Sequence, residues 1–194
     1  MANKRVYFLP GRAESLVAGL GQLITKMGYS IHGREMVSDF VRLRFAEQLA
    51  LIRSDLEPAV WHSEAVLIGR SYGAYLLLHA LADMEPFPGK ILLCSPVLGT
   101  AIAKNGFYGS LPPRAEKLVK LATRNGFPAP LYMEIHTGAE DNGCDPLLAA
   151  RFASLVGNTK LNVVPGAGHE LREDYLQRVL REFLCDELDS ASIK

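Results

Sequence analysis

Six short apolar runs alternate along the chain with longer segments in which apolar residues recur every three or four positions. The runs are Arg5–Leu9, Tyr29–His32, Ala65–Ile68, Lys90–Cys94, Leu131–His136 and Lys160–Val164. Two of them, Ala65-Val66-Leu67-Ile68 and Ile91-Leu92-Leu93-Cys94, are apolar at every position, the pattern of strands covered on both faces. Between the runs, the spacing predicts helices over Ala13–Met27, Ser38–Leu56, Tyr72–Asp83, Pro113–Arg124, Asp145–Val156 and Arg172–Leu188. Ser38 or Asp39 suits the N-cap of the second, and Pro113 and Asn125-Gly126 bracket the fourth with start and stop chemistry. Tyr72–Asp83 is apolar on nearly every side, which places it deep against a sheet. The last helix carries Tyr175, Leu176, Val179, Leu180, Phe183 and Leu184 on one stripe.

Strands separated by helices require crossover connections, and these are right-handed. The expected fold class is therefore α/β, a doubly wound and mainly parallel six-stranded sheet with helices on both faces. A length of 194 residues suits one domain over 1–194. In such sheets ligands sit outside the carboxyl ends of the strands, so the residues just past each strand are the places to look for chemistry.

Composition narrows the partners. With 48% apolar and 22% charged residues the chain reads as an ordinary globular protein. Its 21 basic and 21 acidic residues balance, leaving no cationic excess to neutralise phosphates, so nucleic acid is not an expected partner. Cys94, Cys144 and Cys185 are dispersed and odd in number, which reads as free thiols in a reducing compartment rather than disulfides or a metal site. After Lys4-Arg5 only Val6–Leu9 precede Pro10-Gly11, too short for a signal-peptide core, and no later stretch reaches membrane-spanning length. A cytoplasmic protein without a membrane partner is expected.

The third run leads directly into Gly69-Arg70-Ser71-Tyr72-Gly73 and then the apolar helix. This is G-x-S-x-G in strand–turn–helix context, where the glycines make room for a tight turn that presents the serine at a helix N-terminus. A plain glycine-rich turn is the alternative. A serine hydroxyl needs a base to take its proton. His79 falls in mid-helix, while His32 and His136 sit at or near strand ends, and buried structural roles are expected for all three. His62 precedes the third strand, at the wrong end of the sheet. His169 follows the last strand in Val164-Pro165-Gly166-Ala167-Gly168-His169, where a glycine-rich loop lets the imidazole reach over the sheet; a capping or surface role is its alternative. For the orienting carboxylate, Asp141 is the first choice. Asp145, followed by Pro146, fits a helix N-cap, and Glu140 is a third option. The resulting chain order is Ser71, Asp141, His169.

On Gly69–Ala74 (GRSYGA), Thr137–Asp141 (TGAED) and Gly166–Glu170 (GAGHE), the chain resembles the α/β-hydrolase superfamily over nearly its full length. It is similar to the small, nearly capless members, in a form that begins at the family's third strand. The resemblance implies a serine hydrolase that cleaves a small ester or thioester through an acyl-enzyme, on a small-molecule acyl substrate, with no cofactor and no metal. It also implies an oxyanion hole from the backbone N–H groups of Tyr72 and Arg12. Pro10, where the family often has histidine, Arg70, where many members have histidine, and the spacing between Asp141 and Pro146 depart from the family pattern. The segment Val97–Leu111, with Phe107 and Tyr108, takes the place of a larger lid, so an open cleft is expected. Gly11, Arg70 and Tyr108 are candidate substrate-binding residues. Arg12 and Arg70 together hint at a substrate carboxylate or phosphate, or else each pairs with a neighbour such as Glu14. A non-catalytic binding protein, and a peptidase or acyltransferase on the same scaffold, are the other readings.

Overall fold

The computed structural model describes residues 4–37, 39–99 and 112–185. Strands β1 (Arg5–Leu9), β2 (Ser30–Gly33), β3 (Val66–Arg70), β4 (Lys90–Cys94), β5 (Tyr132–Gly138) and β6 (Thr159–Val164) form one sheet in the order β2-β1-β3-β4-β5-β6. Every neighbouring pair is parallel. The helices are α1 (Leu20–Lys26), α2 (Phe45–Ala59), α3 (Ser71–Leu81), α4 (Lys117–Thr123), α5 (Pro146–Leu155) and α6 (Glu173–Cys185).

The strand order dictates which helix covers which face. The chain steps one way from β1 to β2, then crosses back over β1 to β3 and continues in that direction to β6. Right-handed crossovers in opposite directions put their helices on opposite faces. Accordingly α1 packs with α6 over Val6, Phe8, Ile68, Leu92 and Cys94. Helices α2 to α5 cover Tyr7, Leu9, Leu67, Ile91, Leu93, Met133 and Ile135 on the other face. Alternate residues of the same strand feed the two cores, which is why the central strands read as unbroken apolar runs. Between β1 and β3 the outgoing connections diverge to opposite faces, the point at the carboxyl ends of the strands where open parallel sheets take their ligands.

The predicted strands stand within a residue or two of their expected bounds, while three helices are shorter. Ala13 and Gly19 have φ of 63° and 51°, and the amides of Ala13 and Met36 bond to Met36 and Glu14 carbonyls, so residues 13–16 pair with the β2–α2 connection instead of coiling on themselves. The second predicted helix divides into a 3-10 turn over Asp39–Arg42 and α2, separated by Arg44 in extended geometry; Ser38 lies outside the described residues. Arg114, at φ 60°, delays α4 to Lys117. No helix of the described residues is long and apolar enough to cross a membrane.

Among the histidines given structural roles, His136 is buried and bonded on both ring nitrogens: Nδ1 lies 2.8 Å from the Tyr175 hydroxyl and Nε2 2.9 Å from Glu134. His32, expected inside, is exposed on edge strand β2, since only one neighbour covers that strand. His79 is buried as expected but not satisfied, because neither ring nitrogen has a hydrogen-bond partner among the described residues. Its ring packs against Tyr75 and Phe45, with centroids 4.3 and 5.2 Å away. Burial, reinforced by the nearby Lys117 and Arg114 charges, pushes its pKa down to about 4.

The unfolded chain takes up this proton as pH falls through 6.5, whereas the folded protein resists until near 4. The associated stability is complete above 6.5 and declines as pH drops towards 4. Urea unfolding of the wild type is therefore expected to lose roughly 2 kcal/mol between about pH 7 and about pH 5 from this residue, and His79→Leu to lose that component. At neutral pH, His79→Leu is expected to be the more stable by about 1 kcal/mol, because it removes two unpaired polar atoms from the core. Parallel pH dependence in the two proteins would contradict the assignment.

Candidate active site

Ser71 is the first residue of α3 and adopts φ 49°, a left-handed conformation that non-glycine residues rarely occupy. The flanking glycines make that turn possible. A Cβ on Gly69 would lie 2.7 Å from Ala74 Cα, and one on Gly73 would lie 2.2 and 2.3 Å from the Leu9 and Pro10 carbonyl oxygens. Without side chains at these positions, the elbow settles directly against the end of β1. Ser71 is half-buried at the carboxyl end of β3, beside the point where the connections from β1 and β3 diverge.

The Ser71 Oγ lies 2.9 Å from His169 Nε2, and His169 Nδ1 lies 2.9 and 3.1 Å from Asp141 Oδ1 and Oδ2. Because a carboxylate only accepts, Nδ1 donates to Asp141, and Nε2 is left to accept the serine proton. Asp141 is 1% exposed. Its Oδ1 also accepts the Gly143 and Cys144 amides, each at 2.8 Å, and Oδ2 accepts the Thr137 hydroxyl at 3.4 Å. The loop thus wraps its own backbone around the carboxylate and leaves one direction open, towards the imidazole. Gly143 is part of this fit, since a Cβ there would come 2.9 Å from His169 Nδ1. Gly138 lets the β6–α6 loop descend, because its Cβ would sit 2.1 Å from the Ala167 carbonyl.

The other candidates are placed differently. Asp145 caps α5: its Oδ1 accepts the Leu147 amide at 2.9 Å and Pro146 follows in the first turn. Glu140 is exposed. Tyr72 is buried and stacked on Tyr75 with centroids 5.8 Å apart, and burial pushes its hydroxyl pKa up. The Arg12 guanidinium lies over the Tyr72 ring, 5.0 Å from its centroid. Gly11 is buried in the loop after β1, and its amide donates to Glu14 Oε2 at 2.8 Å. Arg70 contacts the carboxylates of both Glu14 and Glu170. Tyr108 and Phe107 lie outside the described residues. Among the described residues no group of three or more His, Cys, Asp or Glu is placed to hold a metal ion.

One positioning contact has no strong signal in the sequence. Ser95, just past β4, stands at φ 45°; its amide bonds the His136 carbonyl at 2.7 Å and its hydroxyl donates to the His169 carbonyl at 2.8 Å. It ties the histidine loop to the sheet. Its position directly after a strand was the one available hint.

No protein-family model matches the chain, and no curated protein matches it. Solved structures do. A CIB-like hydrolase from Thermoplasma acidophilum superposes with a TM-score of 0.62 at 17% identity, covering 94% of this chain and 87% of the other. A monoacylglycerol lipase from Paleococcus ferrophilus gives 0.65 at 15%, covering 93% of each. Est1E from Butyrivibrio proteoclasticus gives 0.67 at 13%, covering 93% of this chain and 86% of the other. This chain has the α/β-hydrolase fold.

The geometry separates the two aspartates. Asp141→Asn is expected to lower kcat for an activated ester by roughly a hundredfold or more, because the amide disrupts the imidazole's orientation and tautomer. Asp145→Ala is expected to cost about 1 kcal/mol of stability through the lost cap while leaving kcat within a few fold. Steady-state kinetics with p-nitrophenyl acetate, alongside thermal melts, checks both; a larger kinetic loss at position 145 would reverse the assignment.

Proposed function

We propose that this protein is a serine hydrolase that cleaves small esters or thioesters through an acyl-enzyme. The observation that carries the reading is the continuous Ser71–His169–Asp141 hydrogen-bond chain, with links of 2.9 and 2.9 Å, on three loops at the carboxyl end of the sheet. The likeness to solved hydrolases, a lipase among them, supports the same class.

In this mechanism His169 Nε2 takes the Ser71 proton as Oγ attacks the acyl carbonyl. Asp141, already hydrogen-bonded to Nδ1, holds the ring and stabilises the imidazolium that forms. The tetrahedral intermediate develops negative charge next to the N-terminus of α3. There the Tyr72 amide and the Arg12 amide of the β1 loop serve as oxyanion donors, in a role typically worth about 3 kcal/mol per donor. His169 then returns the proton to the leaving alkoxide or thiolate. Water, deprotonated by the same imidazole, repeats the attack and frees Ser71. The chemistry requires no metal or organic cofactor.

Two measurements test this reading. The wild type is expected to turn over p-nitrophenyl acetate and to take up a fluorophosphonate probe on Ser71. Ser71→Ala is expected to lose labelling and to drop turnover by about a thousandfold or more. A wild type inert to both reagents would refute the hydrolase assignment.

A further inference from the structure

The loops that carry the proposed oxyanion donor, nucleophile and base each contribute a charged residue to one cluster beside the site. Glu14 lies in the turn after β1, Arg70 ends β3 immediately before Ser71, and Glu170 immediately follows His169. One terminal nitrogen of the Arg70 guanidinium, Nη1, contacts the Glu14 carboxylate and the other, Nη2, contacts Glu170. Glu14 in turn accepts the Gly11 amide at 2.8 Å, and a Cβ on Gly11 would press within 3.0 Å of that carboxylate oxygen. Both ends of the arginine's fork are occupied, and behind them lies the backbone of the loop next to Arg12.

We propose that Arg70 is a positioning residue that holds the β1 loop and the histidine loop in register across Ser71, rather than an anchor for a substrate anion. The proposal rests on reading Ser71 and His169 as nucleophile and base. Arg70 is suited to the task because its backbone is fixed in the sheet, paired with Cys94 in the β3–β4 ladder, while the loops it reaches are not. A planar guanidinium engages two carboxylates in fixed directions, so the contact sets orientation as well as proximity. The arms are unequal. The side chains of Arg70 and Glu14 are 11% and 30% exposed, whereas Glu170 is 72% exposed, so the Glu14 arm is the firmer and the Glu170 arm is weakened by solvent. His169 keeps a second tether through Ser95, whereas the Gly11 amide is held through Glu14. Loss of the clamp therefore acts mainly on the oxyanion side, where a displacement of about 1 Å costs about a hundredfold in rate.

The test uses the full chain and two substrates, neutral p-nitrophenyl acetate and an ester of p-nitrophenol bearing a free carboxylate. Arg70→Gln is expected to lower kcat on the neutral ester by about tenfold to a hundredfold with KM changed by less than about threefold, and to slow fluorophosphonate labelling in proportion. Glu14→Gln is expected to follow it, Glu170→Gln to stay within about threefold of wild type, and Arg70→Lys to recover part of the loss. Assays are run well below each variant's melting temperature. If Arg70→Gln does not fold, the isosteric Glu14→Gln carries the same kcat-against-KM comparison. The proposal is overturned if the wild type reacts and Arg70→Gln matches it on the neutral ester, or if the variant's only defect is a raised KM for the carboxylate-bearing ester. A wild type that neither hydrolyses the ester nor accepts the probe overturns the underlying hydrolase reading instead.

Discussion

The backbone of α3 enters so close to the end of β1 that a single methyl group at Gly73 would collide with two carbonyl oxygens. Much else follows from that contact. It forces the chain into a turn with Ser71 at positive φ, lifts the hydroxyl to the edge of the sheet, and sets the first helical amides beside the β1 loop. The same device recurs across the site. Gly138 allows the β6–α6 loop to lie against the end of β5, and Gly143 leaves room for the His169 ring. Three loops converge because, at each point of closest approach, a side chain is missing.

Polar groups are treated unequally around this convergence. Asp141 is buried and surrounded by donors from its own loop, which fixes the carboxylate before the imidazole meets it. Glu134, His136, Tyr132 and Tyr175 form a second satisfied network on the α6 side of β5. There, hydrogen bonds from Tyr132, His136 and Lys160 outweigh the effect of burial and hold the Glu134 carboxyl below its usual range. His79, in the middle of the helix that presents Ser71, is enclosed by rings and has no such partners among the described residues.

Much of the architecture was legible from periodicity, because strands buried on both faces must be apolar throughout, and Ile91–Cys94 and Val66–Ile68 are. Helix starts were less legible. Residues 13–16 have helical spacing, but they bond to Met36 and Glu35, partners supplied by a distant connection. The burial of His79 followed from the apolar surroundings of its helix. Its lack of partners among the described residues and the exposure of His32 depended on what packs over α3 and on which strand lies at the edge, and neither is encoded locally. At the site, the Ser71 turn was visible because G-x-S-x-G reports a steric requirement in consecutive residues. The acid was partly visible: Asp145-Pro146 spells a helix cap in consecutive residues, which favours Asp141, but only packing sets which carboxylate faces the imidazole.

By itself, then, the sequence determined the alternation of strands and helices, the sharp turn at Ser71 and the glycine-rich loop carrying His169. Each of these is a local matter of side-chain size, hydrophobic period or backbone freedom. Only the tertiary structure decided that Asp141 faces the imidazole, that Ser95 secures the histidine loop, and that Arg70 meets both Glu14 and Glu170. Those pairings join residues brought together by strand order and crossover handedness, so spacing along the chain could name candidates but could not select the contacts.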